Sequence, residues 1–212
     1  MDVQQALLTR RTIPKYEPGP IDEEALREAL TAAVHAPNHK LTNPWRFVRV
    51  GHETREKLLP IAWELKKAES PEARETIRKK FMNPAVLLVA AQIKTDDAFR
   101  AKEDYAACAC AIQNLMLSLH GRGIGSMWGT GGPTRDQRTY DLLGIDRDKE
   151  EIIGFVWVGR AAAVPNPPKK TVHGVLPRIS VSRDDRDRRS GIRIECRWGV
   201  KKGQDESFST LR

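Results

Sequence analysis

The sequence predicts a mixed α/β architecture of layered strands and helices. Short runs with strand character alternate with longer segments of helical periodicity, and the helices outnumber the strands. Ala85 to Ile93 is continuously apolar, which suits a central strand covered on both faces. Ala101 to His120 has helical spacing yet is apolar almost all round, so it belongs deep in a core or at a large subunit interface.

Val3 to Leu8 reads as a short helix ending at the Arg10-Arg11-Thr12 turn. Pro14, Pro18, Gly19 and Pro20 then hold the chain extended. Asp22 is an N-cap, with Ile21 and Leu26 at the two positions of a hydrophobic staple. The helix from Glu23 to about His35 sets Leu26, Ala29, Leu30 and Ala33 on one face, and Pro37 stops it. Arg46 to Val50 reads as a strand. Glu53 to Glu69 is helical with Leu58, Ile61, Ala62 and Leu65 inward, and Ser70-Pro71 opens another helix. After the apolar helix, glycines at 121, 123, 125, 129, 131 and 132 surround a short strand. Thr134-Arg135-Asp136-Gln137 reads as a capping box opening a helix to Leu143. Ile152 to Val158 is a strand that Gly159 ends.

At 212 residues the chain has room for one substantial core or two small domains. Order fades after the prolines at 165, 167 and 168, which divides it into a domain over 1–169 and a basic tail over 170–212. The tail is expected to be disordered, or ordered only by another subunit. It carries eleven Lys/Arg against six Asp/Glu, and so +5 of the net charge of +8. The basicity therefore belongs mostly to the tail, and nucleic acid is not the expected partner. No apolar run approaches the roughly 20 residues of a membrane span. The start, Met1-Asp2-Val3-Gln4-Gln5, has neither a basic nor an apolar leader region, which points to the cytoplasm. Cys108, Cys110 and Cys196 make no disulfide framework. The first two face different sides of a helix and read as small buried apolar residues.

One connector carries more chemistry than a turn needs. Ala36 to Phe47 (Ala-Pro-Asn-His-Lys-Leu-Thr-Asn-Pro-Trp-Arg-Phe) sets donors, cations and an aromatic ring on a shaped backbone, as binding loops do. His35 and His39 have metal-ligand spacing, but Pro37 breaks the helix between them and no carboxylates complete a site. They read as ligand contacts, or as solvent-exposed histidines. Arg10-Arg11-Thr12 offers two guanidinium forks and a hydroxyl suited to a terminal phosphate. The same cations could simply complement a helix C-terminus. Gly121-Arg122-Gly123-Ile124-Gly125 follows a helix instead of a strand, which rules out a dinucleotide fingerprint and fits a helix C-cap with a tight turn. Trp128-Gly129-Thr130-Gly131 is open to two readings, a structural turn or a loop whose amides approach a planar ligand. No nucleophile-elbow context surrounds Ser118 or Ser126. The acidic pairs Asp96-Asp97 and Glu150-Glu151 read as solvated surface.

Taken in order, the Arg10 turn, the Ala36–Phe47 loop and the Trp128 segment resemble the FMN-binding segments of the nitroreductase superfamily. The Ala-Pro-Asn-His-Lys…Pro-Trp-Arg-Phe form is similar to its small, YdjA-like members, and the resemblance covers residues 1 to about 169. It implies a mixed sheet flanked by helices, assembled as an intertwined homodimer with FMN at the interface. Arg10, Arg11 and Thr12 would hold the FMN phosphate and ribityl chain. His35 and His39 would contact the flavin, in one arrangement from the partner subunit, and Trp128, Gly129 and Thr130 would add a further flavin segment. Gly121, Arg122, Gly123, Ile124, Gly125 and Ser126 match a stretch assigned to the nicotinamide nucleotide.

The implied chemistry is ping-pong: NAD(P)H reduces the flavin at N5 and leaves, and a small-molecule electron acceptor of nitroaromatic or quinone type is then reduced. A cation near the pyrimidine edge would favour the reduced anion, with Lys15 the first candidate and Lys40 the second. No dedicated acid, base or metal ligand is implied. Two features depart from the family pattern. Pro14 stands where many relatives carry a basic residue, and the sequence beyond Lys169 and Lys170 matches nothing familiar. Other branches of the superfamily (dehalogenating, flavin-destroying or azoline-oxidising), a flavin-binding regulator and a tail-driven nucleic-acid binder are the rival readings.

Overall fold

The structure, a computed structural model, describes residues 1–166 together with two strands at 178–181 and 194–197. In chain order the elements are α1 (Val3–Thr9), β1 (Tyr16–Glu17), α2 (Glu23–Val34), β2 (Trp45–Arg49), α3 (His52–Leu65), α4 (Pro71–Met82), β3 (Val86–Ile93), α5 (Ala98–Gly121), β4 (Gly125–Gly129), α6 (Gln137–Leu143) and β5 (Glu150–Ala161). Short 3-10 turns occupy His39–Leu41 and Gly132–Arg135. Residues 1–166 form one compact unit. In the tail, β6 (Arg178–Val181) and β7 (Ile194–Arg197) pair with each other as an antiparallel ladder. The disorder expected for the rest of 170–212 lies outside the described residues.

The sheet of the compact unit runs β1-β5-β3-β2, with β4 also paired to β5. All its ladders are antiparallel. Parallel pairing among the described residues is confined to one bridge, Thr12 to Ser126, so the sheet is less mixed than expected. β3 and β5 are apolar on both faces because helices cover both. Leu87, Val89, Phe155 and Trp157 meet Leu58, Ala62, Phe81 and Tyr140 from α3, α4 and α6. Val86, Leu88, Val156 and Val158 meet Ala29, Ala33, Ile112, Leu115 and Leu119 from α2 and α5. Phe81, Phe155 and Trp157 stack edge to face with centroids 5.8 to 6.2 Å apart.

A bulge interrupts the β3–β5 ladder: Ala90 faces Gly154, whereas Ala91 faces Ile152. The extra residue, Ile153, turns to the α2/α5 side and leaves its carbonyl to the Trp128 indole, which donates to it at 3.2 Å. Gly154 makes this possible. A Cβ there would lie 2.5 Å from Trp128 Cδ1 and closer still to Nε1.

Three local expectations are corrected. The helix before β5 opens at Asp136, whose carboxylate accepts from the Arg138 N–H, while Thr134 bonds Gly131 within the preceding 3-10 turn. Leu65 is exposed at the last position of α3, where its side chain lies beside Gly132. Cys108 is buried as expected but Cys110, on the opposite side of α5, is exposed. Of the acidic pairs, Asp96, Asp97 and Glu151 are exposed as expected; Asp97 also caps α5, and the half-buried Glu150 pairs with Arg46 at 2.6 Å.

Replacing Gly154 by Ala is expected to lower unfolding free energy by about 1–3 kcal/mol, the usual range for overpacking, measured by urea denaturation. An unchanged midpoint would show that the indole has room to move.

Candidate functional site

The ends of α1 and α5 meet beside the first residues of β4. α1 stops at Thr9, and the Arg10 N–H still bonds the Ala6 carbonyl at 3.0 Å. Two residues on, the Thr12–Ser126 bridge and the Ile13 N–H to Ser126 carbonyl bond (3.1 Å) dock the turn onto β4. Gly125 permits the approach, since a Cβ there would sit 2.9 Å from Ile13 Cγ1. α5 ends in a Schellman motif: the Ile124 N–H bonds Leu119, the Gly123 N–H bonds His120, and Gly123 takes the left-handed φ of 74°. The glycine segment is thus a helix stop leading into a strand, and the amides of residues 122 to 124 are already used within it.

The structure separates the two arginines. Arg11 Nη1 donates to the Leu8 and Arg10 carbonyls at 3.0 and 2.8 Å, so it completes the C-terminus of α1. The half-buried Arg10 guanidinium has no hydrogen bond or ion pair among the described residues. Burial, and then the charge of Arg11, holds its pKa below the usual guanidinium value. His120, in the last turn of α5, stands 2.9 Å from the Thr9 hydroxyl. Burial, then Arg10 and Arg11, pushes its pKa down. Arg122 is engaged by Glu28 of α2. Thr12 presents an exposed side chain, as does Lys15, whose carbonyl accepts from the Ala162 N–H. Two guanidinium groups and an imidazole therefore gather with no carboxylate paired to them among the described residues, which is the chemistry of an anion site.

The Ala36–Phe47 loop is built elsewhere. Asn38 Oδ1 accepts from the Asn43 N–H at 2.7 Å, its amide donates to Thr42 Oγ1, and Thr42 donates to Asp104 Oδ1 at 2.6 Å. Asp104 is buried on α5, so the loop is pinned to that helix by its own polar side chains. Lys40, Leu41 and Asn43 all take positive φ. His35 donates from Nδ1 to the Thr31 carbonyl at 2.8 Å, which leaves Nε2 as its free acceptor, and His39 is exposed. From Asp104 to His120 the helix rises about 24 Å. Within one chain, then, the structure brings Arg10, Arg11 and Thr12 to Gly121–Ser126, but does not bring His35 and His39 to them.

Trp128 and Gly129 close the other end of β4. The Trp128 ring is partly buried over Gly154, and a Cβ on Gly129 would lie 2.9 Å from Trp157 Cζ3. Both residues have a packing role and are only partly buried, and Thr130 is exposed just beyond them.

Residues 7–160 match the family model described as the Nitroreductase family. The chain belongs to the nitroreductase family. The match runs from within α1 to the end of β5 and so includes every residue of the cationic cluster. A Bacillus subtilis protein, YfhC, provisionally named an NAD(P)H nitroreductase, is 31% identical over 176 residues, covering 80% of this chain and 89% of its own. A nitroreductase-like family protein from Bacillus cereus has the same fold at TM-score 0.71 with 24% identity, covering 81% of this chain and 91% of that one. The NADPH:FMN oxidoreductase of Vibrio harveyi, solved with NAD+, superposes at TM-score 0.69 with 18% identity over 85% and 78% of the two chains. Among the described residues of this nitroreductase-family chain, no helix is long and apolar enough to cross a membrane.

Sequence reasoning passed over His120 and Thr9. A histidine in a last helical turn is an ordinary complement to the helix dipole, and nothing local distinguishes this one. It also passed over the Thr42–Asp104 bond, because Asp104 follows Arg100, Lys102 and Glu103 in the charged first turns of α5 and nothing local marks it as the buried one. Thr42→Val would leave the buried Asp104 carboxylate without its hydroxyl donor. It is expected to cost about 1–3 kcal/mol in thermal or urea unfolding, with faster proteolysis of the 38–43 loop. Unaltered proteolysis would mean that the loop holds its shape without that bond.

Proposed function

We propose that this chain is an FMN-dependent oxidoreductase. In this reading it takes hydride from NAD(P)H, passes it to a small nitroaromatic or quinone-like acceptor in a ping-pong cycle, and works as a cytoplasmic homodimer. The observation that carries the reading is the Arg10 cluster. In a nitroreductase-family chain, a half-buried guanidinium without an anionic partner among the described residues, beside a second arginine and a histidine, fits the terminal phosphate of a flavin mononucleotide. Arg10 supplies the fork that grips the phosphate, and Thr12 adds a short hydroxyl bond. Arg11 lends charge while holding the end of α1.

When bound, FMN supplies the hydride chemistry itself, accepting at N5 and giving back to the acceptor. The protein's part is placement. Lys15, exposed three residues beyond Thr12, is the first cation available to the pyrimidine edge, and Lys40 is the second. His35 offers Nε2 as an acceptor, and His39 and Thr130 are exposed polar contacts. Gly121–Ser126 is the stretch proposed for the nicotinamide nucleotide. Of it, Arg122 is already paired with Glu28 and the amides of residues 122 to 124 are used in the helix stop, so the exposed surface of Gly121 to Gly123 is what this stretch offers.

Two observations support the dimer. Phe99, Tyr105 and Cys110 on α5, and Val3, Leu7 and Leu8 on α1, leave apolar surface exposed on the single chain. The His39 loop and the Arg10 cluster stand about 24 Å apart along one helix. A flavin touching both would take one from each subunit.

Purified protein should show flavin absorbance that bleaches on anaerobic addition of NADH or NADPH and returns with a nitroaromatic or quinone. Protein that neither carries nor takes up FMN would refute the proposal. Arg10→Ala should weaken FMN by about tenfold or more, the loss of one or two charge-assisted hydrogen bonds, with little change in Tm. Equal retention would remove Arg10 from the site.

A further inference from the structure

We propose that His120 is a second phosphate-binding residue, joining Arg10, and that it takes up a proton as the phosphate binds. The inference rests on the FMN reading above, which counts His120 in the cationic cluster but assigns it neither a phosphate contact nor a proton.

The geometry fixes which nitrogen is free. The Thr9 hydroxyl has one proton, and it lies 2.7 Å from the Gln5 carbonyl, to which it can only donate. Toward His120 Nε2, at 2.9 Å, the same oxygen must therefore accept. The neutral ring carries its proton on Nε2, and Nδ1 keeps a lone pair with no hydrogen-bond partner among the described residues. Protonation at Nδ1 turns that acceptor into a donor without disturbing the bond that orients the ring.

The surroundings decide when this happens. Burial disfavours a charge on the ring, and from the turn after α1 Arg10 and Arg11 add to it. From α2 the charged neighbour of this helix end is Glu28, which Arg122 occupies. β4, packed on the other side, contains no titratable residue. The anion-free ring is accordingly neutral at pH 7. A phosphate dianion between Arg10 and His120 reverses the local field, so the imidazolium becomes the favoured form in the complex.

Linkage gives the sign. The His120 pKa is higher in the complex than in the free protein, so binding takes up a proton between the two values. Affinity must then fall as pH rises through that interval. The second ionisation of the phosphate, near pH 6, works in the opposite direction, so measurements belong between about pH 7 and 9.

The test is titration of the full-length apoprotein with FMN and with riboflavin by flavin fluorescence, and calorimetry at pH 7 in buffers of different ionisation enthalpy. FMN affinity should drop severalfold from pH 7 to 9 with net proton uptake at pH 7, while riboflavin shows neither. His120→Gln, whose amide can still donate to Thr9, should weaken FMN at pH 7 by about tenfold, abolish the pH dependence and leave riboflavin unchanged. FMN binding with no proton uptake, or a riboflavin slope equal to that of FMN, would overturn the role of His120 while leaving the flavin reading intact. Failure of FMN to bind at all would remove both. The wild-type arms decide the matter even where the variant does not fold.

Discussion

Everything in the compact unit hangs on the antiparallel ladder between β3 and β5. It is the longest pairing in the sheet, it is apolar on both faces, and β5 carries β4, the strand that reaches the cationic cluster. A strand buried on both faces cannot shift register without turning large side chains into the opposite helix layer. The one departure, the bulge at Ile153, is therefore an organised feature. It puts a carbonyl where the Trp128 indole can use it and needs a glycine next in sequence to admit the ring. β4 is seated by that contact at one end and by the Thr12 bridge at the other. The position of the cationic cluster thus follows from packing several residues away.

The cluster has an electrostatic peculiarity. Anion sites are commonly built at helix N-termini, where free amides and the dipole both help. Here two helix C-termini converge, and their partial charges attract cations instead. Arg11 is consumed by that role through its bonds to Leu8 and Arg10. Arg10 and His120 are gathered by the same ends but not used up by them. The helix termini assemble positive groups, and the groups left over are free to meet an anion.

Most of the element order could be read from the chain. Strong periodicity marked the helices, and the Asp22 and Ser70 caps marked where two of them begin. The errors came where two local signals compete. Thr134 and Asp136 are both plausible caps within three residues, and the structure uses Thr134 inside a 3-10 turn, bonded to Gly131, and Asp136 as the cap. The site was legible in part. The Arg10 turn and glycine segment stood out by composition, yet that they touch one another is a long-range fact fixed by the Thr12–Ser126 bridge. That the histidine loop lies at the other end of α5 is likewise a property of helix length and docking, which no short motif encodes. Trp128, an indole beside glycines, suits either a ligand contact or a packing role; the glycine that admits its ring, Gly154, sits 26 residues later.

The loop over residues 38–43 has one further implication. Lys40, Leu41 and Asn43 hold left-handed backbone conformations, where glycine would relax at no steric penalty and where a leucine is a genuine outlier. Each such residue costs on the order of 1–2 kcal/mol. Leu41 recovers none of that by burial within its own chain, since it is 79% exposed. The left-handed run is held instead by polar bonds on either side of it, Asn38 Oδ1 accepting from the Asn43 N–H and Thr42 donating to the buried Asp104, so the shape of the loop is maintained by hydrogen bonds and not by the burial of its own apolar side chain.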